Sequence, residues 1–150
     1  MEFSTKVPIT NCPWQLQVND KILLLGSCFA TNMGDKMQEY YLQVQSNPSG
    51  TLYNPISIVH HMDDKEVAEA DVIIVTFGTA WVYELNDQVV DNCQKRPASL
   101  FVRRRLTVDD IVHAWRPILE QYQDKRFIFT VSPIRHIKDG LHENQISKGI

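Results

Sequence analysis

Two adjacent side chains able to attack a carbonyl stand at positions 27 and 28, inside Leu23–Ala30, LLLGSCFA. An apolar run ends at Gly26, and the hydroxyl of Ser27 and the thiol of Cys28 follow at once. A serine on a strand-to-helix turn at the mouth of a sheet is placed as an acyl-transfer nucleophile. The plainer reading makes Ser27 a helix N-cap and Cys28 a small buried apolar residue behind it. Cys28 also competes for the nucleophile's part, since thiols are acidified on the first turn of a helix. A serine needs a base, and the candidates are His60, His61, His113, His136 and His142. His136 is best placed, in a loop after an apolar strand, where it serves as base, as substrate contact or as a backbone-bonded loop residue. Adjacent His60 and His61 do not converge on one metal and read as a helix end. Cys12, Cys28 and Cys93 show no C-x-x-C spacing, so neither a metal nor a cofactor is expected.

The elements that must position these groups can be read from periodicity. Lys21–Leu25 is a compact apolar strand, and from Cys28 to Tyr41 the pattern turns helical, with Phe29, Met33 and Met37 on one face and Ala30 and Tyr40 adding to it. Leu42–Ser46 is a second short strand, broken by the Asn47–Gly50 loop, NPSG. A short helix starts with Asn54 as N-cap and Pro55 at the first helical position. Asp71–Gly78, DVIIVTFG, is β-branched and continuous, as expected of a strand buried on both faces of a parallel sheet. WVYEL and DQVVDN form a hairpin with Asn86-Asp87 at its turn, and LFVRRRLT is a further short strand.

Thr107 caps an amphipathic helix carrying Val108, Ile111, Val112, Trp115, Ile118, Leu119 and Tyr122 on one face, which Pro117 should bend. Arg126–Val131 is another buried strand, SPIRHIKDG an exit loop, and a last helix begins near Leu141. Strands alternating with helices imply a mostly parallel α/β sheet, whose cleft lies at the carboxyl ends of its strands. That rule puts Gly26-Ser27, the loop from Asn47 to Gly50, Gly78-Thr79, and Ser132 to His136 on one rim. Asn47, Asn54, Thr79, Arg135 and His136 become the substrate-binding candidates, with Arg135 suited to an anionic group. Trp81 and Tyr83 either line a pocket there or belong to the hairpin core.

GSCFA, NPSGTLYNP, TFGTAW and SPIRHIKDGLHENQISK, in this order, closely resemble the GSCFA domain family, from about Lys21 to the end of the chain. That family is similar to the SGNH (GDSL-type) esterases. The resemblance implies a three-layer, flavodoxin-like sheet and a serine ester hydrolase or acyltransferase acting on a small polar or carbohydrate ester. In it Ser27 takes the nucleophile's place, Gly50 supplies an oxyanion N–H, and Gly78 is the third-motif glycine. The chain departs from the pattern at Ala80, where an asparagine donor is expected; one such donor is worth roughly 10²–10³ in rate. It also lacks a D-x-x-H after a fifth strand. Asp110 to His113 spells those letters, but His113 lies about 200° round the helix from Ile111 and should face solvent. The expected domain is therefore residues 1–150 as the N-terminal part of a longer family domain, without its C-terminal strand and helix and with weak or no turnover. The alternative is a non-catalytic module that binds a small anionic or sugar ligand.

Composition sets the outer bounds. The 150 residues are 43% hydrophobic and 22% charged, enough for one domain with a core. A net charge of −3 with one short basic run, Arg103-Arg104-Arg105, argues against nucleic acid. Neither a signal peptide nor a membrane span is legible, and the cysteine usage fits the cytoplasm. The expected partners are the small-molecule ligand and a second copy, through an exposed sheet edge.

Overall fold

The computed structural model describes residue 8 and residues 10–91, 95–134 and 136–150. Strands β1 (Lys21–Gly26), β2 (Gln43–Ser46), β3 (Val72–Phe77) and β7 (Arg126–Val131) form a parallel sheet in the order β2-β1-β3-β7. Strands β4 (Trp81–Leu85), β5 (Gln88–Val90) and β6 (Val102–Arg105) form a small antiparallel sheet in the order β5-β4-β6. Helices α1 (Cys28–Glu39), α2 (Pro55–His60), α3 (Asp64–Glu69), α4 (Val108–Gln121) and α5 (Gly140–Gly149) complete the α/β architecture.

Strand alternation builds two cores, one on each face of the parallel sheet. Leu23, Leu25, Ile73 and Val75 point one way, onto Ile58 of α2, Val67 of α3, and Trp115 and Tyr122 at the end of α4. Ile22, Leu24, Val72 and Ile74 point the other way, onto Ala30, Met33 and Met37 of α1. The result is helix, sheet, helix. Ala80, Val82 and Leu106 make a third, smaller core under the antiparallel sheet.

Local signals gave the expected elements. Asn54 caps α2 with Pro55 in its first turn. Thr107 and Asp110 form a reciprocal capping box at α4, and the helix continues through Pro117. Asn86 and Asp87 turn the hairpin with positive φ values of 51° and 61°. Four expectations need correction. Phe29 (46% exposed) and Tyr40 lie outside the core that α1 was expected to build, because only Ala30, Met33 and Met37 reach the sheet. Cys28 is exposed, not buried. Strand β7 is half-exposed, since no strand among the described residues pairs with its outer edge. Val108, Val112 and Leu119 are exposed with it, and an apolar groove of about 540 Å³ runs between α4 and Phe129. Helix α3 went unread because Val67 is its one buried residue and leaves no periodicity. No helix among the described residues is long and apolar enough to cross a membrane.

Candidate functional site

The carboxyl ends of the parallel strands meet through hydrogen bonds across long sequence separations. Gly26 N donates to Asn47 Oδ1 (2.8 Å), and Asn47 Nδ2 donates to Thr31 Oγ1 (2.9 Å) and Ser27 O (3.3 Å). Leu52 N donates to Gly26 O, Gly78 N and Thr79 N both donate to Tyr53 O, and Ser132 N donates to Phe77 O. One side chain, Asn47, thus ties the β1–α1 turn to the β2 loop, and the backbone of Tyr53 ties that loop to the end of β3. Gly26 is required where it stands. With φ of +130°, a Cβ there would lie 2.2 Å from Thr76 O.

At the centre of this junction Ser27 is 6% exposed. Its Oγ accepts from Phe29 N (3.3 Å) as the cap of α1 and lies 3.2 Å from Thr76 Oγ1; its own N–H donates to that same Thr76 oxygen (2.9 Å). No histidine is among the partners of Ser27 Oγ in the described residues. The Gly50 N–H closes a turn onto Asn47 O (2.8 Å), and the Gly78 N–H is held by Tyr53 O (2.8 Å). The two backbone N–H groups expected to hold an oxyanion, at Ser27 and Gly50, both have acceptors already, as does that of Gly78. Ala80 N donates to Ser147 Oγ (2.9 Å).

Beside this junction, at the carboxyl end of β3, lies an open cleft of about 640 Å³ between the β3–β4 loop, the antiparallel sheet and the segment from His136 to Asp139. Tyr53, Trp81 and Tyr83 give it three aromatic rings, and Thr79, Arg103, His136 and Lys138 supply polar groups. Tyr83 is 42% exposed. The Arg103 guanidinium stacks 4.0 Å from the Trp81 ring and pairs with Asp139 (2.5 Å). Trp81 Nε1 and Asp91 Oδ1 are buried without a hydrogen-bond partner among the described residues.

The expected substrate residues distribute as follows. Asn54, Thr79 and His136 border the cleft. Asn54 is buried and spends both side-chain atoms on Ser57. Thr79 Oγ1 accepts from Trp81 N (3.1 Å) and lies 3.2 Å from Ser147 Oγ. The ring of His136 is exposed while its backbone N and O are both bonded by Asn144. Asn47 is a brace of the junction. Arg135 and Cys93 lie outside the described residues. His113 is exposed on α4, as its helical phase requires, and Asp110 beside it is committed to Thr107 and Arg104.

Several groups have partners that sequence reasoning did not assign. The basic run is an ion-pair clamp: Arg103 to Asp139, Arg104 to Glu84 and Asp110 (both 2.8 Å), and Arg105 to Glu143 (2.7 Å). His61 Nε2 lies 2.6 Å from Asp91 Oδ2, and His60 Nδ1 3.8 Å from Asp91 Oδ1, so the helix end is fastened to the β-hairpin. Among the described residues no three His, Cys, Asp or Glu side chains converge as metal ligands. In α5, Asn144 (3% exposed) and Ser147 hold the helix against the rim, and Lys148 Nζ donates to Gly78 O. Burial pushes the Lys148 ammonium below the usual lysine range, with the charge of Asp139 opposing the shift. The motif HENQISK carried these residues in plain view, but the partners of Ser147 and Lys148 are about seventy residues distant in sequence.

Compared with known proteins, the chain matches the family model described as the GSCFA family over residues 21–67 and 63–150. No curated protein and no solved structure matches it.

Proposed function

The chain belongs to the GSCFA family, and we propose that it is a binding module on an SGNH-like sheet, taking a small anionic or sugar-like ligand in the cleft at the carboxyl end of β3. The observation that carries this reading is the contrast between two neighbouring places. The cleft is open, about 640 Å³, with aromatic faces and polar groups at its wall. The junction beside it is closed, with Ser27 capped and each backbone N–H around it already bonded. The order β2-β1-β3-β7, with the cleft outside the carboxyl ends, supports reading the sheet as flavodoxin-like.

A second reading is the serine ester hydrolase or acyltransferase with Ser27 as nucleophile, acting on a small polar or carbohydrate ester. One observation favours it: Ser27 stands on the β1–α1 turn, held by Thr76 at the strand ends where such a nucleophile belongs. To attack, its Oγ must leave the cap bond to Phe29 and find a base. A fluorophosphonate probe, read by peptide mass spectrometry, separates the two. The binding reading predicts no adduct on Ser27, whereas a specific adduct that S27A abolishes makes the chain a serine hydrolase.

A further inference from the structure

The charges on the wall of the cleft can be accounted for one by one. Asp91, Arg103, Lys138 and Asp139 carry them. Arg103 and Asp139 are paired with each other, and the Asp91 carboxylate lies 2.6 Å from His61 Nε2. Lys138 is left over. Among the described residues no carboxylate lies within ion-pair distance of its ammonium. An exposed lysine without a partner is ordinary. What sets Lys138 apart is that it stands in the cleft and that the chain fixes the backbone carrying it.

Ile137–Asp139 form a single 3₁₀ turn. At its start His136 N donates to Asn144 Oδ1 and Asn144 Nδ2 donates to His136 O, both at 2.8 Å. At its end the same Nδ2 donates to Gly140 O. Asn144 is 3% exposed, and these three bonds are spent on the two ends of one short segment. Between them Asp139 N donates to His136 O (3.0 Å), and the Asp139 carboxylate is tied to Arg103, which stacks on Trp81. The backbone on either side of Lys138 is therefore ordered before any ligand arrives, which lowers the cost of using it for recognition. A ligand ring has two aromatic faces to meet in the same cleft, because Tyr53 and Tyr83 are 46% and 42% exposed, whereas Arg103 already lies over Trp81.

We propose that Lys138 is the specificity-determining residue of the cleft, and that it selects a small ring compound, such as a sugar, bearing one carboxylate or phosphate over its neutral counterpart. The inference rests on the cleft reading above and narrows it. The ring lies against Tyr53 and Tyr83, and its oxyanion takes the Lys138 ammonium. The Asp91 carboxylate disfavours an oxyanion in its own neighbourhood and so fixes which way round the ligand sits.

The test titrates the full chain and its K138Q, K138E and K138R variants with glucuronate, glucose 6-phosphate and glucose at constant ionic strength, following backbone amide shifts of Thr79, Trp81 and Tyr83. K65Q is the control: Lys65 is exposed on α3, does not border the cleft, and its loss changes the net charge equally. A solvent-accessible ion pair of this kind predicts that K138Q weakens binding of the charged sugars about fivefold. K138E weakens it further, K138R keeps most of it, and K65Q leaves it unchanged. Glucose binds wild type, K138Q and K65Q alike, and in wild type more weakly than the better charged sugar. Whichever charged probe binds more tightly identifies the oxyanion. Equal affinity of wild type and K138Q for both charged sugars overturns the assignment, and so does an equal loss in K65Q, which would make the effect one of net charge. If glucose still shifts the cleft amides in either case, the cleft reading survives without Lys138; if no probe shifts them in wild type, both fall.

Discussion

At residues 27 and 28 the two candidate nucleophiles have exchanged the environments expected of them. The hydroxyl of Ser27 is inside, spent on Phe29 N and Thr76, and the thiol of Cys28 is outside. The cap itself was legible, because an N-cap needs only the next two or three residues. The burial was not, because it comes from Thr76, 49 positions away on the neighbouring strand. Asn54 and Thr107 were read correctly for the same local reason, and Asn47 was placed on the rim without its role as brace, which depends on Gly26 and Thr31. If Ser27 is a structural cap, S27A should lower unfolding free energy by about 1 kcal/mol, with more lost if Thr76 Oγ1 is left short of a partner. Denaturant unfolding measures it. A variant as stable as wild type would mean that the cap contributes nothing and that the serine is kept for chemistry.

Among the elements, the antiparallel sheet and α5 show how far charge patterning could be read. Arg103-Arg104-Arg105 was read only as a basic run too short for nucleic acid, and the structure uses each arginine to bind β6 to a neighbour. Arg104 ties β4 to the first turn of α4 through Glu84 and Asp110. The backbone N–H of Thr107, with Arg104 and the Thr107 hydroxyl, holds the Asp110 carboxyl below the usual carboxylate range. Asp20 is likewise lowered, chiefly by the side chain of Arg126. A carboxyl with a depressed pKa in the folded state contributes stability above its unfolded pKa and loses it as pH falls through the folded value. Stability should therefore fall below the ordinary aspartate range, near 3.8, and D110N should flatten part of that fall. Urea unfolding at a series of acidic pH values checks the sign. An unchanged slope in D110N would remove Asp110 from the account.

For the molecule as a whole, alternation of apolar strands with helices made the parallel α/β sheet legible, and the carboxyl-end rule put Gly26-Ser27, Asn47, Gly78 and Ser132 together. Burial of β7 was misjudged, because RFIFTV has a buried strand's composition while its position at the sheet's edge is a property of topology. The cleft was only half visible. Trp81 and Tyr83 were named, but Arg103, Asp91 and Asp139 reach it from separate segments whose meeting depends on how the antiparallel sheet docks.

The most direct measurement of the central claim is a crystal of the full chain soaked with a sugar or a small anion that binds it. The account predicts ligand density in the cleft against Tyr53 and Tyr83, with Ser27 Oγ still capping Phe29 N. Density for the ligand joined covalently to Ser27, or seated elsewhere with the cleft empty, would contradict it.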